Sequence, residues 1–539
     1  MTEPKKHGYL HGVAILGSAA ILVKVIGAVY KLPLYNILDN EGAAHFQVAY
    51  QIYSLLLAIS LSGIPVALSR LVSAARATGD RAGAKRYFQV ALPAFAAVGL
   101  AFALTMFFAS EPLAAAMGDR NAAGGLRALA PGVLFCCVIS VYEGYSQGFG
   151  NMAPTASKQI IEVSCKLLVG LSIAWFLARA GAPSPSVAAG AISGASIGLA
   201  AALPVMMLFK RAADREDADG ADGKPARMMS RRAALARVLR VSVPVTLGAS
   251  FMSIMTVIDT KLVLWRLEHG AGYAEAAAQA LYGAYAKGQP FLQMPSALII
   301  PFSVSIIPAI SAAIAAGRPR EAREVMESSL KLACLVAMPA GVGISVLARP
   351  IFFALLGQSD EGVGVLTIFG IASIFICMQL ITTAILQANG YERVPMASYP
   401  IGGLIQIAID WTLVGDRSFG ILGSSFGTLA CYLSITVINL AVIAVKVKDR
   451  PRYAGVFLRP ALCTAVMGAA SFSVYQLLRR VFSSAMYTER IVTILCLGAA
   501  VLVGVAVYLT LILLSGTITR GDLKSMPRGD RLADILRLR

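Results

Sequence analysis

Long apolar runs alternate with short polar connections over nearly the whole chain. A run of about 20 apolar residues is long enough to cross a bilayer as an α-helix. The pattern predicts about 14 such spans, near 12–36, 44–68, 88–109, 128–149, 157–178, 186–209, 238–266, 281–310, 328–355, 363–388, 396–415, 419–445, 457–478 and 491–515. We therefore expect an all-α polytopic membrane protein.

The first run, GVAILGSAAILVKVIGAVYKLPLYNIL, contains Lys24 and Lys31 inside its span. Seven positions apart, the two lysines share a helix face, about 10 Å apart along the axis. A lysine at mid-membrane costs roughly 2.5–3.5 kcal/mol on insertion scales, so it usually faces a bundle interior or a wet cavity. Snorkelling to the interface would satisfy Lys31, near the end of the span, but not Lys24. We expect a basic stripe that faces a cavity.

Composition agrees with this class of protein. Of 539 residues, 57% are hydrophobic and 14% are charged, and the mean hydropathy is +0.71. The net charge of +18 has a simple explanation in a polytopic chain, because basic residues collect in cytoplasmic loops. We therefore expect no nucleic-acid partner. With the N-terminus in the cytoplasm, most Lys and Arg residues fall on the cytoplasmic side, so we expect both termini there.

Two halves of the chain resemble each other. The segments YSQGFGNMAP and ILQANGYERVP share three positions, so that Gln147, Gly150 and Pro154 match Gln387, Gly390 and Pro395. Two more segment pairs match: 71–86 with 309–324, and 16–31 with 247–261. A period of about 240 residues is too long for a solenoid. It suits two six-helix lobes related by an axis along the membrane normal, with substrate held between them.

This repeat gives a domain plan. We expect an N-lobe at 1–209, a C-lobe at 238–448, two additional spans within 449–516 and a basic cytoplasmic tail at 517–539. The stretch 210–237 is charged, rich in Gly and Ala and free of aromatic residues. Such a composition predicts a flexible cytoplasmic linker between the lobes.

Further ionisable residues fall inside the predicted spans: Glu143, Glu162, Lys166, Asp259, Lys261, Arg266, Lys287 and Asp410. Glu162 and Lys166 are four positions apart, so they can form an internal ion pair on one helix face. Lys287 lies in a span interrupted by Gly288 and Pro290, and broken spans line cavities in transporters.

Lys24, Lys31 and Lys287 together predict a positively charged cavity, which favours an anionic substrate. Glu143 and Asp259 either neutralise these lysines when the cavity is empty or take part in proton or sodium coupling. We assign all five residues to the expected substrate-binding cavity.

Catalytic and cofactor motifs are not found in the sequence. The eight cysteines lie inside apolar runs, where they behave as small hydrophobic residues. The four histidines have no metal-ligand spacing, and the chain has no nucleotide-binding or hydrolase motif. We therefore expect a transporter with no metal and no cofactor, rather than an enzyme.

One segment carries a specific resemblance. GYSQGFGNMAPTASKQIIE, ending at Glu162, resembles the signature of one branch of the MOP flippase superfamily. That branch holds the stage V sporulation protein B family and the MurJ-type lipid II flippases. KVIG at Lys24, followed by Lys31, resembles the basic first-span motif of MurJ-type proteins, and GQPFLQMPSALIIP after Lys287 resembles their eighth span.

The chain departs from these relatives in three places. It has lysines where arginine is usual, Glu143 where a basic residue is expected, and no basic residue in its second span. These departures leave the identity of the lipid open.

The resemblance implies fourteen helices, two lobes around a central cavity, and a groove for a lipid tail formed with the spans in 449–516. It also implies a flippase of the bacterial plasma membrane that acts by alternating access. Its substrate would be an undecaprenyl-pyrophosphate-linked cell-wall precursor, lipid II or a related oligosaccharide, moved from the inner to the outer leaflet. The role would be in peptidoglycan or polysaccharide biosynthesis, in growth or sporulation. Membrane lipids would be partners, and a coupling ion, H⁺ or Na⁺, or the membrane potential would supply the energy.

Two other functions compete with this interpretation. A multidrug/cation antiporter of the same superfamily would favour twelve spans and an acidic N-lobe. A polytopic enzyme of envelope glycans would need a large external loop with catalytic side chains, and the predicted external loops are short.

The clustering of basic residues predicts the topology. Cysteines introduced at Gly79, Gly223 and Ser525 should resist an impermeant thiol reagent in intact cells, because 70–86, 210–240 and the tail should lie inside. Labelling at any one of them would overturn the span count around it.

Overall fold

The computed structural model describes residues 29–61, 63–219, 229–356, 362–447, 453–482 and 489–516, together with Ala19, Leu22, Val23, Ile26, Gly27 and Pro451. Every regular element in these residues is a helix, so the all-α prediction is confirmed. The chain divides into two compact units. The first comprises residues up to Trp265 and Ala274–Gly283, and the second comprises Arg266–Tyr273 and the residues from Ala284 onward.

Helices of the first unit follow one another with short connections. They are α1 Asn40–Leu61, α2 Gly63–Ala77, α3 Arg81–Phe108, α4 Ser110–Ala116, α5 Ala123–Gly148, α6 Ala153–Cys165, α7 Leu171–Arg179 and α8 Ser184–Asp219. A 3₁₀ turn, Arg120–Ala122, precedes α5, and a π-helical turn, Lys166–Gly170, joins α6 to α7. The long helix α9, Arg231–His269, continues the unit as far as Trp265.

The second unit has a similar order of elements. Its helices are the main part of α10 Glu275–Ala315, then α11 Pro319–Val346, α12 Ala348–Leu356, α13 Val363–Ala388, α14 Arg393–Ile409, α15 Leu422–Lys446, α16 Tyr453–Val481 and α17 Glu489–Leu514. A π-helical turn at Asp410–Val414 follows α14. In both units a long helix with an internal proline is followed by a short helix, as α3 is by α4 and α11 by α12.

Ten helices in the described part of the chain are long and apolar enough to cross a membrane. They agree with a multi-pass membrane protein, but the predicted number of fourteen is not confirmed. Twelve of the 25 residues of the first predicted span, at 12–36, lie outside the described residues, and Lys24 is among them.

The predicted linker at 210–237 is partly helical. Helix α8 continues to Asp219 and α9 begins at Arg231, while 220–228 lie outside the described residues. Contacts of Asp214 explain the extension of α8. Its carboxylate pairs with Lys210 one turn earlier and accepts a hydrogen bond from the Tyr145 hydroxyl at 3.1 Å. These contacts fix the end of α8 against α5.

Glycines along one face of α8 allow α6 and the π-helical turn to pack closely against it. A Cβ at Gly194 would lie 2.8 Å from Gly170 Cα, and a Cβ at Gly198 would lie 2.9 Å from Glu162 Cα. With Gly190, which faces α7, they form an i, i+4, i+8 series of small residues, a usual device of close helix packing in membranes. This contact determines where Glu162 is held.

The glycines matched between the two halves adopt matching conformations. Gly79 and Gly317 have φ of 76° and 66°, and Gly150 and Gly390 have φ of 78° and 79°. Each ends a helix, and the amide of the residue after it donates to a carbonyl five residues back. This left-handed C-terminal cap favours glycine because a Cβ would be strained there.

A buried polar network links three helices of the second unit. The side-chain amide of Asn439 on α15 donates to the hydroxyls of Thr382 and Thr383 on α13, both at 3.2 Å. Its carbonyl oxygen accepts from Ser398 on α14 at 3.0 Å. Such hydrogen bonds hold helices together where no water is present. Helix α17 is attached separately, because the Tyr508 hydroxyl donates to the Leu335 carbonyl of α11 at 2.9 Å.

The glycine contact of α8 yields a stability prediction. Gly194→Ala should destabilise the protein by about 1–3 kcal/mol, because the new methyl group would collide with the backbone at Gly170. Gly343→Ala is the matched control. A Cβ there meets nothing within 4 Å, so this helical substitution should be neutral or stabilising by up to about 1 kcal/mol. Thermal unfolding in detergent compares the two. Equal melting temperatures would contradict the packing argument.

Candidate functional site

The structure places four of the five residues assigned to the substrate-binding cavity. Lys31 is half-buried, Glu143 is buried on α5 and Asp259 is half-buried on α9, all in the first unit. Lys287 is fully buried on the part of α10 that belongs to the second unit. Lys24 lies outside the described residues. The candidate site therefore consists of charged residues of the first unit.

Four charged side chains form a row in the first unit, which we call the charge row: Glu143, Lys158, Glu162 and Lys166. Lys166 Nζ lies 2.7 Å from Glu162 Oε1, so the predicted ion pair is confirmed. Lys158 Nζ lies 4.0 Å from Glu143 Oε1, which is a longer contact across two helices. Positive and negative groups alternate along the row, so each charge has an opposite neighbour.

Lys158 is a member of the charge row that was not predicted from the sequence. The sequence does contain a pattern that points to Lys158. Lys158, Glu162 and Lys166 are spaced i, i+4 and i+8, so they lie on one face of α6 and the turn that follows. Lys158 falls near the start of the predicted span at 157–178, and a lysine at the end of a span does not by itself indicate a site. Its partner Glu143 is on α5, a pairing that helix periodicity alone does not reveal.

Three members of the charge row, Lys158, Glu162 and Lys166, lie in an apolar span that is only partly covered by protein. The span Ala153–Arg179 has the composition of a membrane crossing, yet most of its side chains are half-buried. Lys158 and Glu162 retain 12% and 17% of their side-chain exposure. Since a charge in lipid is costly, a partly exposed charged face of this kind borders water or a polar ligand.

Glu143 is the most enclosed member of the charge row. It is 5% exposed, and its Oε1 accepts no hydrogen bond. Buried carboxylate oxygens normally have several donors, and one held only by an ion pair at 4.0 Å is poorly satisfied. The contact between Glu143 and Lys158 is therefore the part of the row that a ligand or a proton can alter most easily.

Aromatic residues surround Lys166 at the other end of the row. Its Nζ lies 5.6 Å from the centroid of the Tyr50 ring on α1, within cation–π range. The Tyr30 hydroxyl, next to Lys31, donates to the Ala191 carbonyl of α8 at 3.4 Å. The described end of the first predicted span therefore packs against α8 in the first unit.

The signature residues shape the turn between α5 and α6. Gly150 provides the left-handed conformation, and Pro154 starts α6. The side-chain amide of Gln147 donates to the Thr155 hydroxyl at 3.0 Å, which ties the two helix ends together. Because this turn reverses the chain, Glu143 on α5 comes to lie beside Lys158 on α6.

Lys287 has a different environment. Its side chain has no exposed surface in this conformation. The adjacent Gly288 lies against the ring of Phe369, which also packs edge-on with Tyr285 at 5.1 Å between centroids. Contact between Lys287 and a substrate would therefore require a different conformation.

A cavity of about 480 Å³ in the second unit contains none of the predicted site residues. It lies among helix ends and is lined by Ile314, Gly317, Pro319, Ala322, Met326, Ala388, Asn389, Tyr391, Lys446 and Val447. Its lining offers no set of ionisable groups comparable with the charge row, so the row remains the better candidate site.

Comparisons with known families agree with this architecture. Residues 9–314 match the family described as polysaccharide biosynthesis protein, and 163–493 match the family of the lipid II flippase MurJ. Three similar proteins come from Bacillus subtilis strain 168. The chain is 27% identical to the uncharacterized membrane protein YabM over 99% of this chain and 98% of that one. It is 24% identical to stage V sporulation protein B (98% and 99%) and 23% identical to the lipid II flippase MurJ (79% and 81%).

Solved structures share the fold at low sequence identity. A lipid II flippase MurJ in an inward closed conformation matches with a TM-score of 0.68 and 15% identity, over 92% of this chain and 98% of that chain. An inward-facing multidrug resistance MATE family transporter of the MOP superfamily matches with a TM-score of 0.60 and 13% identity, over 84% and 98%. At these identities the likeness shows the fold alone.

The two ion pairs of the charge row should differ in strength. In double-mutant cycles with Gln at each position, Glu162 and Lys166 should couple by about 1–3 kcal/mol, and Glu143 and Lys158 by less than about 1 kcal/mol. The reason is the separation of the charges, 2.7 Å against 4.0 Å. Thermal unfolding of the single and double variants measures both values. A stronger coupling for Glu143 and Lys158 would refute the described geometry.

Proposed function

We propose that this chain, which belongs to the polysaccharide biosynthesis protein family and the lipid II flippase MurJ family, moves a lipid-linked glycan precursor across the membrane. Both family matches cover more than half of the chain, and the resemblance to this branch of the MOP flippase superfamily is confirmed. Its relatives are flippases and transporters rather than enzymes.

The charge row is the observation that carries the proposal. A phosphate or pyrophosphate cannot cross hydrocarbon without compensating charge, and lysine ammonium groups bind phosphate as point charges. Lys158 and Lys166 sit in a partly exposed face of an apolar helix, where a charged headgroup could replace their glutamate partners. We infer that this face contacts the polar head of the substrate.

The substrate we propose is an undecaprenyl-pyrophosphate-linked cell-wall precursor, lipid II or a related oligosaccharide. The protein would move it from the inner to the outer leaflet by alternating access. Lys24, Lys31 and Lys287 would supply further positive charge, while Glu143 and Asp259 would respond to a proton or cation. The polyprenyl tail can stay in lipid, and α17 supports such a path because Leu495 and Leu502 are exposed on it.

The energy source we propose is a proton or sodium gradient or the membrane potential. The sequence contains no nucleotide-binding motif. Each unit charge that moves through 100 mV contributes about 2.3 kcal/mol. A charge change at one or two side chains per cycle is therefore enough to bias a conformational equilibrium.

An antiporter for cationic drugs is the second candidate. The fold likeness to a MATE family transporter and the carboxylates Glu143, Glu162 and Asp259 favour it. The two basic residues of the first predicted span, Lys24 and Lys31, oppose it because they would repel a cation. Drug resistance conferred by the expressed protein, without rescue of precursor transport, would favour this candidate.

Lys24 provides the direct test of the proposed substrate. In a strain depleted of its lipid II flippase, Lys24→Ala should abolish rescue without loss of protein, because it removes the cation that we expect to contact the pyrophosphate, and the loss of a charge inside an apolar span lowers the cost of insertion. Lys24→Arg should retain substantial activity, since it keeps the charge, and Lys24→Glu should be inactive. Protein levels are quantified alongside growth.

Lys85→Ala is the matched control, because Lys85 is exposed at the start of α3, and it should rescue like the unchanged chain. Full rescue by a well-expressed Lys24→Ala variant would end the proposal that Lys24 binds the anion. If Lys24→Ala lowers protein level and a second substitution at Glu143 or Asp259 restores it, Lys24 is a structural partner of that acid. Failure of the unchanged chain to rescue would remove lipid II as the substrate.

A further inference from the structure

The first turns of α9, in the first unit, carry a group of arginines with no acidic residue beside them. Arg231, Arg232, Arg237 and Arg240 are all exposed. The sequence has no Asp or Glu between positions 229 and 258. Among the described residues, no carboxylate pairs with any of the four arginines. Their positive charge is therefore open to an anion from outside the chain.

Three of these arginines share the outer side of α9, and we call them the arginine face: Arg232, Arg237 and Arg240. The inner side of the same turns is formed by buried residues four positions apart, Ala234, Val238 and Ser242. Because the arginine face lies opposite these buried residues, it points away from the rest of the first unit.

The outward residues of α9 change from basic to apolar along the helix. Beyond Arg240, Val243 and Val245 are 48% and 37% exposed, and positions 241–258 contain no charged residue. This stretch belongs to the predicted span at 238–266. Basic residues that directly precede an exposed apolar stretch lie at the level of the lipid headgroups. The arginine face therefore borders the surface of the membrane.

Tyr87 of α3 positions one member of the arginine face. Tyr87 is buried, and Arg237 Nη1 lies 3.5 Å from its hydroxyl. A guanidinium has five N–H donors, so this contact leaves most of them for another partner. A hydroxyl also leaves the charge of Arg237 uncancelled, as a carboxylate would not. Lys85, two positions earlier in α3, is exposed and adds a further positive charge.

The start of α11, in the second unit, provides a contrast. It also contains three arginines, but with three glutamates in the same ten residues, 318–327. Arg318 Nη1 lies 2.7 Å from Glu321 Oε2, and Arg323 Nε lies 2.9 Å from Glu327 Oε1. These arginines are paired within their own turns, whereas those of α9 are not. An excess of basic residues at a helix start therefore does not by itself leave unpaired charge.

We propose that the arginine face binds the phosphate headgroups of anionic phospholipids in the leaflet that surrounds it. The topology expected from the sequence places these turns at the cytoplasmic surface, where anionic lipids produce a negative potential. Guanidinium groups bind phosphate oxygens through paired hydrogen bonds. The exposed valines that follow would contact the acyl chains of the same lipid. A phospholipid therefore satisfies both parts of this surface, whereas a soluble phosphate satisfies one.

A lipid titration tests the proposal. The purified full-length chain in neutral detergent is titrated with phosphatidylglycerol or with phosphatidylcholine, and native mass spectrometry measures the dissociation constant of the bound lipid. The variant Arg232→Gln, Arg237→Gln, Arg240→Gln should bind phosphatidylglycerol roughly 30- to 100-fold more weakly, because each arginine near the surface contributes about fivefold. Binding of phosphatidylcholine, which has no net charge, should not change. Unchanged binding of phosphatidylglycerol by this variant would overturn the proposal.

The start of α11 supplies the matched control. The variant Arg318→Gln, Arg320→Gln, Arg323→Gln removes the same number of positive charges, yet its affinity for phosphatidylglycerol should stay within about twofold of the parent value, because exposed ion pairs contribute little. Equal losses in the two variants would indicate an effect of net charge alone and would contradict the site. Glycerol 3-phosphate at the concentration of the lipid should not displace it. Displacement would identify a site for free phosphate instead.

A second measurement needs no substitution and so remains valid if the α9 variant does not fold. A photoreactive phosphatidylglycerol is activated on the unchanged chain in nanodiscs, and the labelled peptides are identified. Labels should fall within 229–245 and not within 316–330. Labels that avoid 229–245 would refute the proposal. Neither measurement uses a glycan precursor, so both results are independent of the proposed function.

Discussion

A charge inside an apolar helix must meet an opposite charge, a hydrogen-bond partner or water, and the first unit is arranged around this requirement. Glu162 meets an opposite charge in Lys166, which lies 2.7 Å away. Gly198 of α8 allows the backbone at Glu162 to pack within contact distance of α8. Lys158 then reaches Glu143 on α5. Small residues on one helix thereby position the charges of another.

Much of this arrangement of helices and charges could be predicted from the sequence, because the arrangement depends on the local spacing of residues. Apolar runs predicted the helices, the four-residue spacing predicted the pair of Glu162 and Lys166, and the shared pattern matched the glycines of the turns but not their left-handed conformation. Contacts between segments that are far apart in the sequence could not be predicted. Glu143 contacts Lys158, and His45 contacts Asp119, because of the way in which the helices pack. A single sequence does not reveal that packing.

Each unit contains a π-helical turn that begins at a charged residue, and the two charges are opposite in sign. The π-helical turn of the first unit begins at Lys166, and that of the second begins at Asp410. Each turn packs against glycines of the following helix. A Cβ at Gly427 would lie 2.1 Å from Asp410 Oδ1, as a Cβ at Gly194 would collide with Gly170. π-Helical turns often occur at functional sites. Asp410, one of the ionisable residues inside the predicted spans, is completely buried in the structure.

The charge row also constrains how an anion could bind. Two lysines and two glutamates cancel, so the row as it stands has no net attraction for a pyrophosphate at long range. The proposed binding of an anion would therefore need either additional positive charge, which Lys24 and Lys31 would supply, or the loss of a negative one. Glu143 is the member whose loss of charge costs least, since its ion pair is the longest and its Oε1 accepts no hydrogen bond. Protonation of Glu143 would leave Lys158 free to meet a phosphate oxygen, so a proton and an anion would favour each other's binding at this site.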